Sequence, residues 1–337
     1  MKNSLKSNLP SVSIIIPCRN EEKYIGKCLD SILSQDYPKE RLEVLVVDGM
    51  SEDKTRETIK NFQFSNPNFQ LRLLDNPKKF TNFAFNMGIK ESKGEIIMLM
   101  GAHAGYEKDY ISKCVKYLKE YNVDNVGGMM ITLPAKNTLV AKVIAISLSS
   151  RFGAASDFRV GSNTVKEVDT VFGGCYKREV FEKIGLFNEN LKRSQDMEFN
   201  LRLKKAGGKI LLAPDIISYY YPKSNLKDFF VHNFEDGVWI TYPLKFRIKA
   251  FCWRHLMPLI FVSSLIGTII LGTFTPIFFW LFLTIIVMYL LTNIYFSMKI
   301  AAKQKDIRYL FLIPVAFATR HIGYGLGSVW GLIKLII

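Results

Sequence analysis

Residues 94–106, GEIIMLMGAHAGY, decide how the rest of the chain reads. A turn glycine opens the stretch, an apolar run over 96–100 follows, and the pattern then breaks into small and polar residues, Gly101-Ala102-His103-Ala104-Gly105. A buried strand that stops so abruptly presents its last side chains at the C-terminal edge of a parallel sheet, the edge where open α/β sheets bind ligands. A strand ending in Asp-x-Asp or Asp-x-His would hold a divalent cation against a diphosphate, because hard cations take oxygen ligands. Here the first position is Gly101, and His103 is the one obvious ligand left in the triplet.

Strands and helices alternate upstream. Apolar β-type runs over 12–16, 42–47 and 71–74 precede the strand at 96–100, and helical spacing fills the intervals at 21–35, 53–62 and 80–91, with a further helix at 110–121. This order predicts an α/β fold with a mostly parallel sheet covered on both faces. The ends of the first two strands, Pro17-Cys18-Arg19-Asn20-Glu21 and Asp48-Gly49-Met50-Ser51, fall at the same edge as His103. Asp48 suits a carboxylate that accepts from a nucleobase imide or ribose hydroxyl; the alternative is a cap for a βα turn. Neither Gly-x-Gly-x-x-Gly nor a Gly-Lys-Ser/Thr loop is present, which argues against dinucleotide enzymes and P-loop phosphotransferases.

Composition narrows the partners. The 337 residues carry a formal charge of +15 and are 49% hydrophobic, with a mean hydropathy of +0.11. No nucleic-acid-reading motif accompanies the charge, so nucleic acid is not an expected partner, whereas anionic lipids and a phosphate-bearing substrate are. Five scattered cysteines without Cys-x-x-Cys spacing argue against a disulfide framework and a zinc site, and suit a reducing compartment. The N-terminus has no apolar run of the signal-peptide kind.

The segments VSIIIPCRNEE, VLVVDGMSEDKT, NPKKFTNFAFNMGI, GEIIMLMGAHA and SQDMEFNLRLKKAGGKI stand in the order found in family 2 glycosyltransferases. The chain resembles that family over most of 12–215, and most nearly its succinoglycan-type exopolysaccharide branch, which has Asp-Ala-His-Ala at the metal triplet. The resemblance implies a GT-A catalytic domain, an inverting mechanism and a nucleotide-sugar donor, usually UDP-linked. It also implies a divalent metal (Mn²⁺ or Mg²⁺), which Gly101 puts in question. Carried across residue by residue, it places Pro17, Arg19 and Glu21 around the nucleoside, Asp48 on the uracil or its ribose, and His103 on the metal. Arg19 has a solvated loop cation as its alternative, and His103 a hydrogen-bonded structural role. Lys78 and Lys79 lie beside the expected cleft, where they neutralise phosphate or form a solvated pair. Asn86 and Gly88 match a helix end read as structural.

Beyond the sheet, 134–168 is polar and glycine-spotted and reads in part as a mobile flap near the acceptor, with Arg151 and Arg159 as candidate phosphate contacts. Asp196 falls near a helix start, where the dipole stabilises the anion. It is either a cap or, as the family implies, the general base, with Glu198 orienting the acceptor. One such carboxylate suffices for single-displacement transfer.

After residue 228 the chain changes character. Residues 229–255 mix aromatics with bases in the manner of a membrane-interface segment. The family's Gln/Arg-x-x-Arg-Trp diphosphate clamp is incomplete there, leaving only His232-Asn233 and Gly237-Val238-Trp239. Residues 256–298 carry no charge, enough for two spans joined near 272–276 or, alternatively, a buried helical hairpin. Residues 309–337 read as a third, broken or interfacial element, with Arg320 and His321 facing a lipid head group. The expected plan is therefore a GT-A domain over 1–228, an interface segment over 229–255 and a membrane region over 256–337. Basic flanks at 299–308 and before 256 orient a multi-pass protein of the cell membrane with its catalytic domain in the cytoplasm. The expected activity is sugar transfer from a nucleotide-sugar to a lipid-linked or polysaccharide acceptor. The competing reading is a nucleotide-sugar-binding or scaffolding subunit without turnover.

Overall fold

The computed structural model describes residues 9–153 and 156–337. The chain divides into two compact units, one of Met1–Ile131 with Gly161–Tyr220, the other of Thr132–Val160 with Tyr221–Ile337.

The first unit is built on one sheet. Strands β1 (Val12–Cys18), β2 (Leu42–Asp48), β3 (Leu71–Asp75) and β4 (Ile96–Leu99) pair in parallel in the order β3-β2-β1-β4. The near-continuous Val/Ile/Leu content of β1, β2 and β4 is what a strand covered on both faces requires, whereas β3, LRLLD, is an edge strand that is only partly buried. Helices α1 (Ile25–Leu33), α2 (Thr55–Ser65) and α3 (Thr81–Glu91) connect them, and α4 (Tyr110–Glu120) follows β5 (Ala104–Tyr106). Gly88 seats α3 on the sheet: a Cβ there would lie 2.4 Å from Ile15 Cγ2. Asn86 is buried and exchanges hydrogen bonds of 2.9 Å in both directions with the Phe187 backbone, so the Asn-x-Gly pattern is structural.

The sheet is mixed, not parallel throughout. It continues through β8 (Cys175–Lys177), β6 (Asn125–Thr132), β9 (Ile210–Tyr220) and β5, with β7 (Lys166–Glu167) also on β9. In this half the pairs β4–β8, β6–β8, β5–β9 and β7–β9 are antiparallel. Helices α7 (Arg178–Ile184) and α8 (Gln195–Lys205) lie between β8 and β9.

The second unit begins with a correction. Within 134–168, expected in part as a flap, residues 139–148 are helical; residues 154 and 155 lie outside the described residues. The apolar core of this stretch, LVAKVIAISL, forms helix α5 (Leu139–Leu148), capped by Thr138 and buried at Val143, Ile144 and Leu148; a short α6 (Asp157–Val160) follows. Helix α5 packs with α9 (Leu226–Thr241) and with α12 (Arg308–Ile336), through clusters that include Phe229, Ile313 and Phe317. Polar residues at the ends of the stretch masked this apolar centre in the sequence.

Helices α10 (Met257–Gly272) and α11 (Pro276–Gln304) meet at the expected turn. Each lies in a segment long and apolar enough to cross a membrane, and little of either is buried. That exposure argues against the buried hairpin of a soluble protein. Helix α12 is continuous through Pro314, which corrects the expectation of a broken element. Its glycines let it meet α9 backbone to backbone. A Cβ at Gly327 would fall 1.9 Å from Phe234 O, and one at Gly237 would fall 2.0 Å from Tyr324 O. Small residues at such crossings permit the close packing typical of apolar helices.

Candidate active site at the sheet edge

The loops after β1 and β2 are laced together. Asn20 N–H donates to Ser51 Oγ at 2.9 Å, Glu52 N–H to Asn20 Oδ1 at 2.9 Å, and Glu21 N–H to Thr55 Oγ1 at 2.7 Å. Asn20 (φ 55°), Met50 (φ 58°) and Lys79 (φ 65°) adopt left-handed backbone at the ends of β1, β2 and β3. Non-glycine residues take that conformation at a cost, and such residues concentrate at functional sites.

Asp48 is fully buried. Its carboxylate accepts from Ser51 N–H at 3.0 Å and from Arg56 Nη1 at 2.7 Å. The same Arg56 nitrogen lies 2.8 Å from Asp75 Oδ1 at the end of β3. Hydrogen bonds to Asp48 and then Asp75 push the Arg56 pKa up, so the guanidinium is a fixed cation between two carboxylates. Asp48 is thus more than a turn cap: it is part of an ionic cluster that joins β2, β3 and α2. Arg56 was missed in the sequence because one arginine in the first turn of a polar helix carries no distinguishing pattern.

The Lys79 carbonyl and the Arg19 side chain both border Gly49. A Cβ at Gly49 would lie 3.1 Å from Lys79 O and 3.2 Å from Arg19 Cβ, so glycine is what allows the three strand ends to converge. Arg19 is substantially exposed and reaches Glu52 at 3.9 Å, a weak surface pair. Pro17 is half-buried within β1. The neighbouring Lys78 ammonium stands 6.0 Å from the centre of the Phe83 ring.

His103 Nδ1 lies 3.1 Å from Glu21 Oε1, which brings together two of the residues singled out in the sequence. The imidazole is flanked by the Tyr220 ring at 5.5 Å and the Tyr24 ring at 6.4 Å. Gly101 is held by its N–H to the Tyr106 hydroxyl at 2.7 Å and by its carbonyl to Cys28 Sγ at 3.5 Å. Among the described residues, no group of three or more His, Cys, Asp or Glu side chains gathers as a metal site. Two side chains, Glu21 and His103, are too few for a self-sufficient divalent site, which needs further oxygen ligands.

Asp196 is the second residue of α8, exposed in its first turn. Two buried contacts fix the helix under it. Asn200, one turn on, donates to Thr170 Oγ1 at 2.9 Å and accepts from the Tyr176 hydroxyl at 3.1 Å. Phe199 stacks on Phe187 at 4.5 Å and on Phe181 at 5.1 Å. Burial, with the Asp196 charge second, raises the Tyr176 pKa well above its ordinary value, so Tyr176 stays a hydroxyl donor. Glu198 is engaged differently: Arg202 Nε and Nη2 each donate to its carboxylate at 3.0 Å, and Arg202 Nη2 donates to Leu186 O at 2.8 Å. That geometry makes Glu198 a brace between α8 and the segment before it.

A strand-edge ionic cluster and a carboxylate on a rigid helix start are the parts a nucleotide-dependent transferase needs. The glycosyl transferase family 2 model matches residues 13–185, about half of the chain and the whole parallel half of the sheet. The chain belongs to glycosyl transferase family 2. It is accordingly a glycosyltransferase with a GT-A-like catalytic domain. A Methanococcus voltae dolichyl N-acetyl-alpha-D-glucosaminyl phosphate 3-beta-D-2,3-diacetamido-2,3-dideoxy-beta-D-glucuronosyltransferase is 30% identical, over 96% of this chain and 97% of the relative. Succinoglycan biosynthesis protein ExoA of Rhizobium meliloti is 27% identical, over 73% of this chain and 71% of the relative. Likeness to this family 2 glycosyltransferase therefore runs beyond the succinoglycan branch, and in the archaeal relative it extends over the helical second unit. Among solved structures, the mannosyltransferase PcManGT from Pyrobaculum calidifontis, in complex with GDP-Man and Mn²⁺, shares the fold. Its TM-score is 0.63 at 20% identity, covering 96% of this chain and 88% of that chain.

Proposed function

We propose that this family 2 glycosyltransferase moves a sugar from a nucleotide-sugar, a UDP-sugar in the first instance, to a lipid-linked acceptor in cell-surface glycan synthesis. The observation that carries the donor half is the convergence of Asp48, Arg56, Arg19 and Lys79 at the ends of β1–β3. Asp48 and its partners face the base and ribose, while Arg19 and Lys79 neutralise the diphosphate. Support for a lipid-linked acceptor comes from the full-length archaeal relative, whose name specifies a dolichyl-linked substrate, and from the exposed apolar helices α10 and α11. A polysaccharide acceptor is the variant favoured by the exopolysaccharide relative.

Transfer proceeds by single displacement. Asp196 takes the proton from the acceptor hydroxyl as that oxygen attacks the anomeric carbon, and the nucleoside diphosphate departs. The chain is a multi-pass membrane protein, and its basic flanks at 299–308 and before residue 256 set the catalytic unit on the cytoplasmic side. The interface role of 229–255 belongs to the same reading.

Two results test the donor site. Asp48→Ala is expected to weaken UDP binding by roughly 1–3 kcal/mol, the cost of a lost charged hydrogen bond. Isothermal calorimetry reads it, and unchanged affinity removes Asp48 from the pocket. The second test concerns Gly101. A Cβ at this position meets nothing closer than 3.8 Å, so the backbone accepts a side chain here. Gly101→Asp restores the Asp-x-His triplet and is expected to tighten Mn²⁺ binding in the presence of UDP by about tenfold, roughly 1.4 kcal/mol. Indifference to this substitution, together with transfer insensitive to chelator, assigns charge neutralisation to Arg19 and Lys79 alone.

A further inference from the structure

The helical second unit contains a cavity of about 630 Å³, within the range of about 300–1,000 Å³ typical of small-molecule sites. Three arginines, Arg151, Arg254 and Arg320, line it, and none of the described lining residues is acidic. The cationic wall is built, not incidental. Arg320 Nη1 donates to Asn233 Oδ1 at 2.8 Å, and buried Asn233 is itself tied to Phe229 O at 2.6 Å, so this guanidinium is aimed before any ligand arrives. His321 Nε2 lies 2.8 Å from Phe152 O, and its Nδ1 lies 3.1 Å from the Tyr289 hydroxyl. A neutral ring donating to the carbonyl and accepting from the hydroxyl satisfies both, and locks α12 to α11 and to the chain beside Arg151. Phe152 is stacked on Phe296 at 5.1 Å and set edge-on to Phe317 at 5.0 Å, which holds that part of the wall rigid.

The rest of the lining is apolar. Met257, Pro258 and Phe261, from the first turns of α10, contribute to it, and α10 continues as an exposed apolar helix. One cavity thus joins a tri-arginine patch to an apolar helix surface. Arginine is the residue suited to bidentate phosphate binding, and ionisable groups at membrane depth are costly enough to be retained for function.

We infer that this cavity binds the phosphate or diphosphate head group of a lipid, with its hydrocarbon chain running along α10. The inference rests on the reading of the acceptor as lipid-linked and gives that acceptor a seat formed entirely by the second unit.

The test uses the full-length protein in detergent micelles, without nucleotide, and farnesyl phosphate as the probe. Arg254→Gln and Arg320→Gln are each expected to weaken its binding by about tenfold or more, with partial recovery in the Lys variants because lysine keeps the charge and loses the fork. Farnesol, which has the chain but no phosphate, should bind at least about tenfold more weakly to the wild type and be indifferent to both substitutions. UDP affinity on the same samples should stay at the wild-type value, which separates a lost head-group contact from a misfolded variant. Farnesyl phosphate binding unchanged in both Gln variants overturns the inference. So does displacement by inorganic phosphate at equal concentration, which would mark a free-phosphate site. A wild-type chain that binds farnesyl phosphate but not UDP would contradict the donor assignment and leave the head-group site standing, so the two failures are distinguishable.

Discussion

Replacing Asp196 with Asn is expected to slow sugar transfer by about 10²–10⁴-fold, the usual worth of a general base, with donor affinity nearly unchanged. The substitution keeps the size of the side chain and a hydrogen-bonding oxygen, and removes its negative charge and with it the ability to take up a proton. The buried anchors of α8 are left alone: Asn200 and Phe199 keep their contacts. Loss of a negative charge in the first turn costs about 0.3–1 kcal/mol of helix-dipole stabilisation, too little to unfold the unit. The defect should therefore appear in kcat and equally in kcat/KM for acceptor, as expected for an interaction made in the transition state. Steady-state kinetics with varied acceptor at saturating donor read this directly. Turnover near wild type would reduce Asp196 to a helix-terminus charge and leave the base to be sought elsewhere. Glu198 is a poor substitute, since Arg202 occupies its carboxylate.

Cutting the chain after Tyr221 is expected to abolish recovery of a monodisperse protein, even though every strand of the sheet lies upstream. The reason is α5. Its residues Val143, Ile144 and Leu148 are buried against α9 and α12, both of which the cut removes. Burying each such side chain contributes about 1.5–3 kcal/mol, so the truncated chain would carry an orphaned apolar helix in the middle of its sequence. Aggregation is the expected outcome, read by size-exclusion chromatography with light scattering. Excising 133–159 along with the tail should restore solubility, since that loop then no longer exposes its apolar face. A soluble monomer from the simple truncation would show that α5 is stable without the partners seen here.

What the sequence disclosed follows from signal length. Strands β1 to β4 are apolar runs of four to seven residues, and a buried parallel strand has no other way to be written. The turn between α10 and α11 was equally legible, because Gly272 and Pro276 punctuate an uncharged stretch. The antiparallel half was harder: β5 and β8 have three residues each, too few to display any period. Helix α5 was lost for the opposite reason, its ten apolar-rich residues being averaged with polar neighbours on both sides. Continuity of α12 through Pro314 was hidden because proline predicts a break that packing against neighbouring helices overrides. At the candidate site, His103 and Glu21 were legible as strand-end residues. The Asp48–Arg56–Asp75 cluster was not, because its members are joined only by folding.

The placement of α5 also sets a schedule. During synthesis this helix emerges well before α9, and α12 is complete only at the end of the chain. At about 5–20 residues per second, α5 waits on the order of ten seconds or more for its last partner. Until α9 emerges, a segment whose native surroundings are other apolar helices has only water, ribosome or lipid to meet, and α9 alone covers only part of it. Early delivery of the nascent chain to a bilayer, before the catalytic sheet is finished, is the simplest way to keep it from meeting another copy of itself.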